Sequence, residues 1–507
     1  MAETHANKRR IAKNTLYLYF RMILIMGVTL FTSRVVLDKL GVEDYGLFQV
    51  VGGVVGMLSF LNGTLSIGTS RFLTFELGTG NSEKLKRTFS TAFYSHLILA
   101  VIIIFLMETV GLWFMYNKLV IPDHRFNVCL GVFQISLFTT FMSITQVPYT
   151  ATIMAHERMG VYAYISIFEA LAKLGICYLL YVIDVDKLVL YAILIAVVQF
   201  LVVLSYRIYA IRHFEETHVH LIFDKEILRS LLGFSGWNIT ANLAGTLKLQ
   251  GVLVLINIFF SSVVVASQAI ANQVAQAMMQ FVNSFRTAIN PQIIKSYAAG
   301  QKEESKKLTL ETTVYCFDLV LLLGLPAIVV MDKLMHLWLV EVPEYAVVFT
   351  QWIIAQQIMG TFSASFYTPM MAANKMKVNS IASVFTGIGE FIVLYVLFRI
   401  GLGPMWILYL GMLASIIYSF GIKPYVLHKD IDYTWREMGL CYWICAKVLF
   451  LSCVLSIPSV FFLGDDIPQT LLKALIAALA VVISSYVFMS SEMKGKLKLL
   501  ILSKFRK

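Results

Sequence analysis

The sequence predicts an all-α polytopic membrane protein of about 14 transmembrane helices, two parallel six-helix repeats plus two C-terminal helices. Three observations carry that prediction. Of the 507 residues, 58% are hydrophobic and 14% charged, with a mean hydropathy of +0.76, the composition of a chain that lies mostly in hydrocarbon. Apolar runs of about 20 residues, enough to cross a bilayer as a helix, recur from Asn14 onwards with only short polar breaks. The chain also resembles itself at a separation near 220 residues, as set out below.

The first six spans are expected over 14–37, 45–70, 88–112, 126–150, 161–183 and 187–210. The opening MAETHANKRRIAKN reads as a polar cap on the first of them rather than a cleaved signal. The first two spans are joined by a short turn around Gly41–Asp44. Six more are expected over 230–259, 263–290, 308–331, 345–370, 378–399 and 404–423, and a last pair over 440–463 and 468–490. This divides the chain into an N-terminal six-helix lobe (1–213), a linker (214–229), a C-terminal six-helix lobe (230–428), and two extra helices with a basic tail (429–507). The polar stretch RHFEETHVHLIFDKEILR around the linker is expected to form an interfacial amphipathic helix.

The internal repeat rests on ordered matches. RFLTFELGTGN from Arg71 aligns without gaps on PQIIKSYAAGQ from Pro291, which puts Gly80 on Gly300, each followed by a charged loop. Pro122 then falls on Pro343, and Pro148 on Pro369. Six helices per repeat is an even number, so both halves enter the membrane in the same orientation, as in parallel-repeat transporters. Basic residues set that orientation: 27 lie on one side of the expected spans and 6 on the other, which places both termini in the cytoplasm. The same bias accounts for the net charge of +11 without a nucleic-acid partner.

Within the spans, basic residues outnumber acidic ones. Arg21, Arg34, Arg71, Lys173, Lys248, Arg286, Lys447 and Lys473 face only Glu108, Glu169, Asp318 and Glu390. Each unpaired base costs about 2.5–3.5 kcal/mol at a helix centre, so water or an anionic ligand has to meet the surplus. Lys173 follows Glu169 by one helical turn and is expected to pair with it. Lys473 sits near a helix end and is expected to snorkel; Lys447 either does the same or serves an accessory groove. Arg21, Arg34, Arg71, Lys248 and Arg286 are the candidate substrate-binding set, because guanidinium pairs bidentately with phosphate. Glu169, Asp318 and Glu390 are candidates for H+ or Na+ coupling, or equally for structural ion pairs.

Catalytic residues, a metal site and an organic cofactor are not expected. The sequence has no nucleotide-binding GxxxxGK[ST] loop, and its six cysteines lie in apolar runs as packing residues. The acidic pairs Glu43–Asp44 and Asp465–Asp466 suggest metal-dependent membrane glycosyltransferases, but those enzymes build on outer loops longer than any expected here.

The helix plan and the opening NTLYLYFRMILIMGVTLFTSRVVLDKLGVEDYGLFQVVGG, with its SRVVLDKLG and DYG elements, resemble the multidrug/oligosaccharidyl-lipid/polysaccharide exporter superfamily. Within it, the stretch is similar to the polysaccharide transporter branch, the Wzx-type O-antigen flippases. That resemblance implies transport of an undecaprenyl-diphosphate-linked oligosaccharide across a cell inner membrane through a cationic central cavity. It also implies lipopolysaccharide or other surface-polysaccharide biosynthesis, with the polysaccharide polymerase and chain-length machinery as partners besides the bilayer. A peptidoglycan-precursor flippase and a multidrug cation antiporter of the same superfamily are the alternatives. The antiporter requires an acidic or apolar cavity.

Overall fold

Among the described residues, helical backbone runs through most of each of the fourteen expected ranges, and four of the polar breaks supply side-chain caps. The structure, a computed structural model, describes residues 2–156, 158–373, 375–489 and 494–495; side chains at 2–22, 59, 63, 64, 67, 159, 232–241, 287, 288, 291 and 376 are not described. In order, the helices are α1 (Ala2–Gly56), α2 (Ser59–Thr79), α3 (Ser82–Leu106), α4 (Leu112–Asn117), α5 (Asp123–Ala155), α6 (Met159–Val182), α7 (Lys187–His213), α8 (Lys225–Thr246), α9 (Val252–Phe259) and α10 (Ser262–Ala298). They continue as α11 (Lys302–Val329), α12 (Met331–Trp338), α13 (Ala346–Ser365), α14 (Tyr367–Ala372), α15 (Met376–Arg399), α16 (Trp406–Ile416), α17 (Lys423–Ile431), α18 (Trp435–Phe462) and α19 (Ile467–Phe488). Single π-helical turns at Met107–Gly111, Leu247–Gly251 and Ile417–Ile422 join α3 to α4, α8 to α9 and α16 to α17. Among the described residues there is no strand, and ten helical segments are long and apolar enough to cross a membrane. The protein is an all-α, multi-pass membrane protein.

The caps explain where helices begin. Asn81 accepts from the Lys84 N–H at 2.9 Å, Asp186 from Leu188 and Val189, and Asp224 from Glu226 and Ile227. Thr434 and Glu437 close a capping box on α18. Gly80 and Gly300, matched by the sequence repeat, both adopt left-handed backbone (φ 72° and 78°) just beyond α2 and α10. A Cβ is disfavoured at that conformation, which accounts for glycine at both ends.

The linker differs from its expected form. It is a single 3-10 turn, Glu215–Thr217, followed by extended chain up to Asp224. Hydroxyls of α3 hold it there: the His220 N–H donates to Ser90 Oγ and the Asp224 N–H to Thr91 Oγ1, both at 3.1 Å. Those backbone donors are satisfied from α3, so no helix is needed to satisfy them.

The chain divides into two units. One comprises Met1–Ala269, Leu339–Glu344 and Ser383–Pro404; the other Ile270–Trp338, Tyr345–Ala382 and Met405–Lys507. In the first, α5 packs on α7, α1 on α6, and α2 on α8. In the second, α11 packs on α13, and the added pair α18 and α19 docks on α11.

The turn between the first two spans is fixed by charge and close packing within the first unit. Gly41 breaks α1 at φ 76°. A Cβ at Gly46 would run into the Ser262 carbonyl, so only glycine admits that approach. Arg125, at the start of α5, donates its Nε to Asp44 Oδ1 at 2.9 Å and an Nη to the second Asp44 oxygen, while its other Nη reaches Asp186 Oδ2 at 2.5 Å. One guanidinium thereby ties three connections together. Burial works against the Asp186 carboxylate, but the Arg125 hydrogen bond and the α7 backbone amides outweigh it and hold its pKa below the usual value. Replacing Arg125 by Gln should cost about 1.5–3 kcal/mol, the range for hydrogen bonds to charged groups, seen as a lower melting temperature in detergent. Because the Asp186 pKa is depressed on folding, its contribution is complete above the ordinary carboxylate pKa and fades below it. The gap between wild type and Arg125→Gln should therefore narrow below about pH 4.

Candidate functional site

The SRVVLDKLG stretch places Arg34 two turns before the Gly41 break. Arg34 is exposed, and among the described residues no carboxylate lies within ion-pair distance of it. Asp38 is engaged elsewhere, with Lys39 at 3.2 Å and the Tyr181 hydroxyl at 3.3 Å, while the Lys39 ammonium rests 3.7 Å from the Tyr181 ring centre. Arg71 is exposed on α2, with its guanidinium 5.8 Å from the Phe72 ring centre. Arg21 lies outside the residues whose side chains are described.

Lys248 is placed differently from a free cavity cation. It sits in the π turn between α8 and α9, where its Nζ lies 3.3 Å from Glu390 Oε2 on α15. The Glu390 side chain is only 9% exposed and Lys248 47%, so the lysine neutralises a buried carboxylate from its open side. The pair joins two helices of the first unit whose backbones touch closely nearby, where Gly387 meets Ala244. Glu169 pairs with Lys173 at 2.7 Å, the one-turn pair that the spacing predicts. Lys473 does not snorkel. It is buried and bonds Asp465 at 2.8 Å, because its helix end brings that carboxylate within reach. Asp465 responds with a lowered pKa.

Asp318 has no basic partner among the described residues. It borders a cavity of about 100 Å³ between α11, α18 and α19, lined also by Glu311, Tyr315, Val448, Ser485 and Phe488. Asp318 Oδ1 and Ser485 Oγ are both buried without a partner at hydrogen-bond geometry. Lys447, on α18, lies over the rings of Phe488 and Trp443, at 5.0 and 5.8 Å.

In the second unit, Arg286 on α10 donates one Nη to the Ala364 carbonyl and the other to Asn283 Oδ1 at 3.4 Å, which leaves its buried Nε unsatisfied. No carboxylate pairs with it among the described residues. Beside it stands Lys423, which the sequence reading counts with the loops. Lys423 is 3% exposed, has no carboxylate partner among the described residues, and lies 5.2 and 5.5 Å from the ring centres of Tyr367 and Tyr418. Arg207 escapes the sequence reading in the same way. Its Nη donates to Thr145 Oγ1 at 2.6 Å, and its guanidinium lies 5.6 Å from the Tyr149 ring centre. The two share a plan: a base on the last helix of each expected repeat lies over a tyrosine next to or two residues from Pro148 or Pro369. The π turns are the other sign. Glu108 and Lys248 lie inside two of them, and Lys423 directly follows the third. Such turns widen a helix locally and recur at functional positions.

The fold is that of transporters of the MOP superfamily. The chain is similar to the lipid II flippase MurJ in an inward closed conformation, with a TM-score of 0.69 and 11% identity over 94% of this chain and 98% of that one. It is also similar to a MOP superfamily transporter from Pyrococcus furiosus (TM-score 0.60, 12% identity, 83% and 97% covered). A third similar structure is the MATE multidrug transporter DinF-BH (TM-score 0.62, 14% identity, 83% and 95% covered). No protein-family model and no curated protein matches the chain.

The Lys248–Glu390 contact makes a direct prediction. Lys248→Met alone strands a buried carboxylate, so it should destabilise the protein more than Lys248→Met combined with Glu390→Gln. A thermal-unfolding double-mutant cycle should give a coupling energy of about 1–3 kcal/mol. Additive single changes would mean that the two side chains do not support one another.

Proposed function

We propose that the protein is a flippase that carries an undecaprenyl-diphosphate-linked oligosaccharide, an O-antigen or other surface-polysaccharide repeat unit, across the inner membrane by alternating access through a cationic cavity. The observation that carries this reading is the sign of the charge left over after pairing. Glu169 and Glu390 are consumed by Lys173 and Lys248. Glu108 accepts from the Gln134 amide at 3.2 Å. Arg34, Arg286, Lys423 and Arg207 have no carboxylate among the described residues. An organic-cation carrier needs the opposite balance, since a desolvated cation in an apolar site requires an anion or aromatic partner. Arg21 and Arg34 of the first unit, and separately Arg286 of the second, are proposed to contact the diphosphate or acidic sugars during transport, with Arg71 as a weaker member. Lys248, being half exposed beside Glu390, is assigned to a weaker, screened contact. The cycle is non-enzymatic in this reading, with Asp318 the remaining candidate for H+ or Na+ coupling.

A peptidoglycan-precursor flippase is the second reading. It is favoured by the likeness to the lipid II flippase over 94% of the chain. Both readings demand a lipid-linked diphosphate; they differ in the glycan.

In cells that depend on this protein for surface polysaccharide, Arg286→Ala should lower export about 10- to 100-fold, the worth of one charge-assisted contact, while the protein accumulates normally. Lysine at 286 should restore part of the export, keeping the charge without the fork, and glutamate should be worse than alanine. Normal export by Arg286→Ala, or loss explained by degradation, would remove Arg286 from the cargo path. The proposed orientation has both termini in the cytoplasm. A cysteine introduced at Asn117 should then react with a periplasmic maleimide and one at Lys84 should not; the reverse pattern would invert the topology.

A further inference from the structure

We propose that Lys423 and Arg286, walled by Tyr367 and Tyr418, form an anion subsite in the second unit that takes a phosphate group carried by a lipid. It rests on the reading of the protein as a carrier of diphosphate-linked lipid and adds a named subsite to it. Lys423 is the least expected feature of the unit: a lysine 3% exposed, next to a guanidinium close enough for the two charges to repel, with no carboxylate among the described residues to offset either. Snorkelling does not account for it, because a snorkelling lysine exposes its head. The two tyrosine rings offer the negative faces of their π systems, which hold a cation without consuming its hydrogens.

The donors are left over in a pattern that fits one kind of ligand. Lys423 carries three N–H donors and Arg286 retains a buried, unsatisfied Nε. They come from two helices, α17 and α10, so the ligand must present several acceptor oxygens in different directions. A tetrahedral phosphate does so through its non-bridging oxygens, and a lipid-linked diphosphate brings two negative charges to the two cations where a carboxylate brings one. The Tyr418 hydroxyl is fixed by its bond to the Asn379 carbonyl at 3.1 Å, which makes that wall rigid. Tyr367 is 40% exposed and forms the open side through which a headgroup can approach. The first unit shows the contrast: Arg207 lies over Tyr149, gives an Nη to Thr145 and, like Arg286, keeps a buried unsatisfied Nε, but has no second cation beside it among the described residues.

The phosphate can come from a diphosphate-linked cargo or from an anionic phospholipid. Full-length protein in phosphatidylcholine nanodiscs, titrated calorimetrically with inorganic pyrophosphate, tests the first source. The same protein in discs doped with phosphatidylglycerol, with retained lipid read by native mass spectrometry, tests the second. Lys423→Met, which keeps the stem and removes the charge, should weaken at least one of the two interactions about tenfold or more, equal to about 1.4 kcal/mol. Lys423→Arg should restore it. Loss confined to pyrophosphate assigns the subsite to the cargo, and loss confined to phosphatidylglycerol assigns it to a phospholipid headgroup. Wild-type protein that binds neither probe, or Lys423→Met that binds both as well as wild type, overturns the subsite. If Lys423→Met does not elute as a folded species, Arg286→Gln in the same assays must show the same loss, and unchanged binding overturns the proposal. An unaffected Lys423→Met alongside failed export by Arg286→Ala would sink the subsite and leave the transport reading standing. A wild type that binds pyrophosphate yet moves no diphosphate-linked lipid would do the opposite.

Discussion

A positive charge placed among apolar helices has to be met by something, and most of the distinctive geometry of this protein follows from how each one is met. Carboxylates meet some: Glu390 takes Lys248, Glu169 takes Lys173 and Asp465 takes Lys473. Aromatic rings meet others, as at Lys39, Lys423 and Lys447. A ring attracts a cation by about 0.5–2 kcal/mol, less than full desolvation costs. Among the described residues Lys423 and Arg286 are therefore held but not neutralised, a condition that an arriving anion would improve. This is what separates a site from a structural contact. A satisfied pair such as Lys248–Glu390 has little left to offer a ligand.

The resemblance that the sequence carries most plainly lies somewhere else. In SRVVLDKLG and DYG, Gly41 makes the turn, Asp38 and Lys39 bind Tyr181, Asp44 receives Arg125, and Gly46 lets Ser262 approach. These residues build a connection in the first unit. Arg34 is the charged side chain of that stretch with no carboxylate partner among the described residues. A motif of this kind marks a shared fold more directly than a shared cargo, which is why the choice among related transporters has to be argued from charge.

The spans were legible because a bilayer demands long apolar runs and because Asn81, Asp186, Asp224 and Thr434 cap the helices that follow them. Gly80 and Gly300, which the sequence aligns, were legible as helix ends, where backbone conformation restricts the residue type. Long-range pairing was not. Lys248 and Glu390 are far apart in sequence, and no local spacing announces their contact. Lys423 and Arg207 were hidden for another reason: both stand beside polar chain, so they read as loop charges, although α17 and α7 carry them into helical packing. The linker misled by composition. Its polar and apolar residues allow an amphipathic helix, but hydroxyls on α3 offer the backbone other partners.

The central claim is that the translocated group is an anion recognised by surplus positive charge. It is tested most directly in proteoliposomes, with two fluorescent lipids that share the same polyprenyl chain and sugar and differ only in carrying a diphosphate or an uncharged linker. The account predicts that the protein moves the diphosphate lipid across the bilayer and leaves the uncharged one at the rate of protein-free vesicles. Equal movement of both lipids, or movement of an organic cation in place of either, would contradict it.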